Sequence, residues 1–168
     1  MTAAQGTVMS SAKTEHRTMR PNPEQYVSFT LGSEQYGVDV TRVQEIKGFD
    51  SVTRVPYAPA FVLGVVNLRG AIVPVIDLRM RFGLKHVPYD STTVIVVVRI
   101  GGARGERIAG LVVDAVNEVH HIARDLIRPP PQLAGMVEQS HVRGIADIDG
   151  RLLMLLDIES LVTSSIAA

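Results

Sequence analysis

The chain contains one sequence pattern twice, and this duplication constrains its fold more than any other feature. Residues 37–46 align without a gap with residues 110–119, and residues 64–78 align with residues 144–158. Apolar positions match apolar positions, and several Gly and Asp residues coincide. Chance similarity between Val-rich runs is the alternative, but matched Gly and Asp residues are harder to obtain by accident. A repeat of this length is too large for a solenoid unit, so we expect two similar small β-barrels or sheets packed side by side.

The most distinctive segment of the first copy is Gly64–Arg79, which has the pattern of two β-branched strands around a tight turn. Arg69 precedes Gly70 in the turn, where Asn or Asp would tolerate positive φ more easily. The second copy has Asp149 at this position. Because the same turn accepts an aspartate, Arg69 is either a tolerated surface residue or a charge presented to a partner. Pro74 cannot donate to the ladder, so its strand should be an edge or carry a bulge.

Strand patterns cover much of the remaining chain. Period-two alternation and Val-rich or Ile-rich runs predict strands at 26–31, 36–40, 52–55, 93–100 and 107–113. Residues 41–46 are ambiguous between a helical turn and a further strand. Residues 1–24 are polar, small and proline-dotted, which predicts a disordered lead without a signal peptide. No run reaches about 18 uninterrupted apolar residues, so we expect a cytoplasmic protein that does not insert into the membrane.

The chain lacks the residue patterns of common enzymes. It has no Cys, and no metal-ligand spacing of His residues is present. The adjacent His120 and His121 would point to opposite faces of a strand and cannot share an ion. The Gly101–Gly105 cluster lacks the Lys-Ser/Thr ending of a phosphate loop. We therefore predict no catalytic residues, no metal and no cofactor.

Four aspartates, Asp39, Asp77, Asp114 and Asp157, recur at strand ends of the two copies. Paired carboxylates can act as acid and base. Duplicated carboxylates at strand ends are more often caps or salt-bridge partners, and this is the interpretation we favour.

A nucleic-acid-binding β-barrel is the alternative function. Small barrels often bind single strands through basic grooves with interleaved aromatics. Here seventeen basic and seventeen acidic residues cancel, and there is no Trp. A phosphate binder would lose affinity steeply with salt, which separates this alternative from a protein-binding function.

The segments Tyr36–Val40, Val43–Ile46, Pro59–Phe61 and Gly64–Arg79 together resemble the chemotaxis coupling protein CheW family. The resemblance implies an all-β fold of two SH3-like five-stranded β-barrel subdomains packed on a shared core, with short helical elements and a short C-terminal helix. On this basis the CheW-like domain spans residues 25–168. Its parts are subdomain 1 at about 25–88, subdomain 2 at about 89–158 and the C-terminal helix at about 159–168.

The resemblance also implies a non-enzymatic adaptor in receptor arrays at the inner face of the membrane. One surface would bind the cytoplasmic tip of a chemoreceptor (a methyl-accepting chemotaxis protein) in the groove between the barrels. Another would bind the regulatory domain of the histidine kinase CheA, and further CheW copies could join in rings. Seven positions match places that the family uses in these contacts: Arg69, Val94, Val116 and Val119 for the receptor, and Val43, Glu45 and Gly64 for the kinase.

Overall fold

A computed structural model describes residues 22–102, 105–130 and 141–166, and these ranges form ten strands and two short α-helices. The first copy of the repeat contains β1 to β5 and helix α1, and the second contains β6 to β10 and helix α2. The bounds are β1 Glu24–Leu31, β2 Glu34–Asp39, β3 Val43–Gly48, β4 Val62–Leu68, β5 Ala71–Asp77, α1 Leu78–Arg81, β6 Val94–Gly102, β7 Gly105–Val113, β8 Ala115–Ile122, β9 Val142–Ile148, β10 Arg151–Leu156 and α2 Ile158–Ile166.

The two five-stranded sheets exchange strands between the copies. One sheet has the order β8-β1-β2-β10-β9 and the other has the order β3-β6-β7-β5-β4. Each sheet therefore combines the first two strands of one copy with the last three strands of the other. The predicted boundary between residues 88 and 89 does not separate the sheets, because each sheet draws strands from both sides of it.

The register of the exchanged strands is itself duplicated. β10 pairs in parallel with β2, with Leu155 opposite Gly37, and β5 pairs in parallel with β7, with Val75 opposite Gly110. In the sequence repeat Leu155 matches Val75 and Gly37 matches Gly110. The two sheets are thus built on one pattern, which is what a duplicated sequence requires.

Three apolar clusters fill the part of the molecule that the structure describes. A large cluster includes residues of both sheets, such as Phe29 and Val38 from one sheet and Val98 and Leu111 from the other. A smaller cluster lies within each sheet's own barrel. This arrangement confirms the predicted all-β fold with two barrels packed on a shared core.

The four recurrent aspartates have the predicted structural roles. The Asp77 carboxylate accepts a hydrogen bond from the Met80 amide at the start of α1, and Asp157 accepts one from the Ser160 amide at the start of α2. The remaining two act at strand ends: Asp39 accepts from the Thr41 amide, and Asp114 accepts from the Gly32 amide and pairs with Arg79. The predicted roles of these aspartates, as caps and as salt-bridge partners, are therefore confirmed.

The prediction that Pro74 lies on an edge or bulged strand is wrong. β5 is an internal strand between β4 and β7, and the register irregularity lies in β4. Opposite Pro74, both the amide and the carbonyl of Val65 bond to Thr53 on the other side of β4. Parallel pairing with β7 begins only at Val75. The proline therefore costs no ladder hydrogen bond.

Other local predictions need smaller changes. The predicted strand at 52–55 is a single bridge between Thr53 and Val65. Residues 41–46 combine both interpretations, because a 3-10 turn at Val40–Arg42 leads directly into β3. The lead at 1–21, residues 103–104 of the glycine-rich turn and residues 167–168 of the tail lie outside the described residues.

Within the described ranges, no helix is long and apolar enough to cross a lipid bilayer. The same ranges contain no group of three or more His, Asp or Glu residues able to hold a metal ion.

Candidate protein-binding surfaces

Two strands, β3 and β8, are edges of their sheets and occupy matching places in the repeat. The other two edges, β4 and β9, are each covered at one point by a crossing segment, through the Thr53–Val65 and Arg128–Ile145 bridges. In the described part of the chain, β3 and β8 pair on one side only. They are the strands whose outer sides can meet a partner.

On the β8 edge, Val116 is partly buried against the shared core and Val119 is 47% exposed. Val94 begins β6 and lies opposite Val113, three residues before Val116. The Val94 side chain packs on the same shared core. The three valines predicted for receptor contact therefore lie on or beside the rim of the shared core.

Ser28 fixes the backbone of β8 just before Val119. Its hydroxyl is fully buried, donates to the Glu118 carbonyl at 3.0 Å and accepts from the Glu118 amide at 3.2 Å. These bonds bridge the register irregularity between β1 and β8. Sequence reasoning missed Ser28 because its role depends on a pairing between strands that are far apart in the chain.

On the β3 edge, Val43 packs on the shared core and Glu45 is mostly buried. Ile46, which the sequence analysis did not select, is 44% exposed. It aligns with Val119 in the repeat, so the alignment itself contained the signal. The two edges thus carry apolar side chains at equivalent positions.

The turn after β4 presents Arg69 beside the β3 edge. Arg69 has φ +52° and Gly70 has φ +89°, and the Gly70 amide donates to Asn67 Oδ1 at 2.9 Å. The Arg69 side chain is 78% exposed, and its Nη2 lies 3.0 Å from Glu45 Oε2. A cation is therefore held at the surface on a defined backbone.

This ion pair changes the predicted grouping of the site residues. Arg69 was assigned to the receptor and Glu45 to the kinase, but the two side chains bond to each other. Arg69 projects from the sheet that contains β3, whereas Val116 and Val119 lie on β8 of the other sheet. A partner that contacts either member of the pair meets both.

Gly64, predicted as a kinase contact, lies beneath a crossing segment of the chain. Gly64 is buried and has φ +148°, and a Cβ at this position would lie 2.0 Å from the Thr53 carbonyl oxygen. Its repeat counterpart Gly144 is also crowded, since a Cβ there would lie 2.5 Å from Ile127 Cγ2. Both glycines allow a crossing segment to approach an edge strand, so a partner would meet that segment instead.

Two ion pairs of opposite polarity join the copies near equivalent places, since Arg79 and Glu159 match in the repeat and their partners lie one position apart. Arg79, the second residue of α1, bonds Asp114 through Nε at 2.7 Å and Nη2 at 2.5 Å. Glu159, the second residue of α2, accepts from Arg42 at 3.4 Å. Partial burial alone would raise the pKa of Asp114, but hydrogen bonds from Arg79 and the Gly32 amide and the guanidinium charge lower it below its ordinary value. Arg79 and Asp114 follow β5 and β7, which are neighbours in one sheet, whereas Gly32 lies in the β1–β2 turn of the other sheet. Asp114 therefore links the end of one barrel to a turn of the other.

Two barrels on a shared core, each with one accessible edge strand, form a duplicated β-barrel module. The family model described as "CheW-like domain" matches residues 25–165. The chain therefore belongs to the CheW-like family of chemotaxis coupling and scaffold proteins.

Individual relatives agree with this assignment. "Chemotaxis protein CheW" of Klebsiella aerogenes is 43% identical over 141 residues, which cover 84% of this chain and 82% of that protein. "Probable chemotaxis protein CheW" of Rhizobium etli is 32% identical over 149 residues, or 89% of this chain and 94% of that protein. The crystal structure of the scaffolding protein TtCheW from Thermoanaerobacter tengcongensis superposes with a TM-score of 0.76 at 38% identity, covering 85% of this chain and 90% of that chain.

Proposed function

We propose that this protein is a non-enzymatic adaptor that couples chemoreceptors to the histidine kinase CheA. It would bind the cytoplasmic tip of a receptor with one surface and the regulatory domain of the kinase with another. Its place would be the cytoplasmic face of the membrane, reached through the receptor. Membership of the CheW-like family supports this role.

One observation carries the proposal: the two equivalent edge strands differ in charge. The β3 edge has the Arg69–Glu45 ion pair beside it. The β8 edge has Glu118 at the position of Glu45, and the turn after β9 has Asp149 at the position of Arg69. One fold thus presents a similar backbone with two chemistries, which suits two different partners.

We assign the β8 edge to the receptor, with Val94, Val116 and Val119 as contacts. A receptor helix presents apolar residues at i, i+3 and i+4, and a rim of valines can receive such a stripe. Valine side chains lose little rotamer entropy on binding, which lowers the cost of ordering them.

We assign the β3 edge to the kinase, with Val43 and the Glu45–Arg69 pair as contacts and Gly64 as a positioning residue beneath the surface. The regulatory domain of the kinase has a similar fold, so contact would be between barrels. Binding both partners at once raises their effective concentration toward each other, and control of the kinase would follow from this fixed geometry.

Co-sedimentation with a membrane-anchored receptor signalling domain, with and without the full-length kinase, tests the proposal. We expect recovery of the wild-type protein in the pellet, and we expect that recovery to increase when both partners are present. A folded Val119→Lys variant should lose the receptor, whereas a folded Arg69→Glu variant should lose mainly the kinase-dependent increase.

Leu126→Lys is a matched control, because Leu126 is another exposed aliphatic side chain and lies on the 3-10 turn after β8. It should sediment as the wild type does. Failure of the wild-type protein to sediment under any condition would contradict the coupling role, although the fold would stand.

A further inference from the structure

Tyr57 has an unfavourable backbone conformation. It is one of three described non-glycine residues with positive φ, at +62°. It follows Pro56 in a turn, and this combination is typical of a type II turn, whose third position normally holds Gly or Asn. The other two, Arg69 and Asp149, lie in the equivalent hairpin turns. A bulky aromatic residue in this region is an outlier that lowers stability.

Nothing in the described part of the molecule offsets this cost. The Tyr57 side chain is fully exposed, so its ring packs on none of the described residues. Val55, in the same loop, is 42% exposed. A strained residue that makes no internal contact points to a role outside the molecule.

The loop that carries Tyr57 is held at both ends. Before the turn, Thr53 exchanges two backbone hydrogen bonds with Val65, at 3.0 and 2.8 Å. After it, the Val62 amide donates to the Pro59 carbonyl at 2.9 Å. Pro56 further restricts the backbone. A side chain on such a support is ordered before binding, which reduces the entropy lost on association.

The same loop covers Gly64. A Cβ on Gly64 would meet the Thr53 carbonyl and the Arg54 Cα, so the chain at 53–54 lies directly over this glycine. A partner that approaches the first copy at Gly64 therefore touches the loop and not the glycine. On that loop Tyr57 is fully exposed, more so than Val55.

We propose that Tyr57 is an aromatic anchor that inserts into an apolar pocket of the kinase's CheW-like regulatory domain. The inference rests on the proposed function. The loop that carries Tyr57 continues into β4 beside Gly64, which lies beneath the surface assigned to the kinase, and this continuity identifies the kinase as the partner. Tyrosine suits this role, since it combines a large rigid apolar ring with a polar tip and is enriched among residues that dominate binding energy.

Isothermal titration of the full-length kinase with wild type and three variants tests the proposal. Tyr57→Asn removes the ring but places a residue that tolerates positive φ, so its thermal unfolding temperature should equal or exceed that of the wild type. Its affinity for the kinase should fall by about tenfold or more. Tyr57→Phe should retain most of the affinity. Leu126→Asn, which removes another exposed apolar side chain, from the 3-10 turn after β8, should bind within about twofold of wild type.

Unchanged kinase affinity of the folded Tyr57→Asn variant would overturn this inference and leave the coupling role intact. Loss of receptor binding with intact kinase binding would also overturn it, because the anchor would then have a different occupant. No kinase binding by the wild type would instead contradict the proposed function on which the inference rests.

Discussion

The hairpin turns after β4 and β9 have the same backbone but opposite surface charges. Arg69 and Asp149 both have φ +52°, and each is followed by a glycine with positive φ. The amide of each glycine donates to a side-chain oxygen three residues earlier, at 2.9 Å in one turn and 2.8 Å in the other. Arg69 of the first turn forms an ion pair with Glu45 of the edge strand β3. Asp149 cannot form such a pair with Glu118, because both side chains are acidic.

This comparison separates fold from function within one chain. What the two turns share, positive φ and the glycine, is what the hairpin geometry demands. What differs is the charge, which the fold does not require. We infer that the features the two turns share serve the fold, and that the charge in which they differ serves recognition.

The largest predicted effect concerns the matched glycines. Gly64→Ala should lower the free energy of unfolding by more than about 4 kcal/mol, because the new Cβ meets a backbone carbonyl at positive φ. Gly144→Ala should cost only about 1–3 kcal/mol, since the new Cβ would lie 2.5 Å from the Ile127 Cγ2 methyl and 3.0 Å from the nearest backbone atom, the Arg128 carbonyl oxygen. Urea denaturation measures both. Equal costs would contradict the stricter requirement at Gly64.

The second-largest predicted difference in the free energy of unfolding is between loss of the Arg79–Asp114 ion pair and loss of the Arg42–Glu159 ion pair. Arg79→Ala removes a bidentate partner from Asp114, with both side chains mostly buried, and should cost about 2–4 kcal/mol. Arg42→Ala removes the single contact to Glu159, where the side chains are 39% and 55% exposed, and should cost less than about 1 kcal/mol. The same denaturation experiment compares them, and a larger loss in Arg42→Ala would refute the ranking.

Acid should weaken the molecule through Asp114. Its pKa is lowered in the folded state, so its contribution is complete above the unfolded value of about 3.9 and is lost as pH falls through the lower folded value. Asp114→Asn should therefore be less stable than wild type at pH 6, and the difference should shrink below about pH 4. Unfolding curves at a series of pH values measure this. A difference independent of pH would show that the charge of Asp114 is not what stabilises the fold.

The smallest effects on stability should come from substitutions in the two hairpin turns. Their effects on kinase assembly should differ, because only the first turn holds the proposed contact Arg69. Arg69→Glu should change the free energy of unfolding by less than about 1 kcal/mol, because the Arg69 side chain is 78% exposed and contributes only a surface ion pair. It should nevertheless weaken assembly with the kinase. Arg69→Asn, which keeps a residue suited to positive φ, should weaken assembly too, since the charge is lost. Co-sedimentation with receptor and kinase measures assembly.

Asp149→Arg is the reciprocal control for the same comparison. It offers Glu118 the cation that Glu45 already has, and should stabilise by at most about 1 kcal/mol. It should leave kinase assembly unchanged. Wild-type coupling by a folded Arg69→Glu variant would remove Arg69 from the proposed site.

Much of this architecture could be predicted from sequence, and the failures have a common cause. The repeat, the Arg69–Gly70 turn and the capping role of Asp77 depend on residues near each other in the chain, where local geometry decides the outcome. The exchange of strands could not be predicted. The repeat shows that the two copies are alike, but it does not show which copy supplies the strand next to a given strand in each sheet.

The same limit applies to the candidate surfaces. Glu45 and Arg69 were both selected, but their contact depends on how the β4–β5 turn lies against β3. Gly64 was selected as a contact from the family resemblance. Its burial under Thr53 could not be predicted, because it is set by a single bridge outside the regular strands. Tyr57 carried a signal in its position after Pro56, where the turn type favours Gly or Asn. That signal was missed.

The exchange of strands also has a consequence for the order in which this protein can fold during translation. Among the described strands, the hairpin formed by β1 and β2 is synthesised before its neighbours β8 and β10, which follow about 80 or more residues later in the chain. Until then the nascent hairpin has an unfilled edge on each side, and such edges are prone to aggregation. Neither copy can therefore fold ahead of the other, and folding must wait until the second copy has been synthesised.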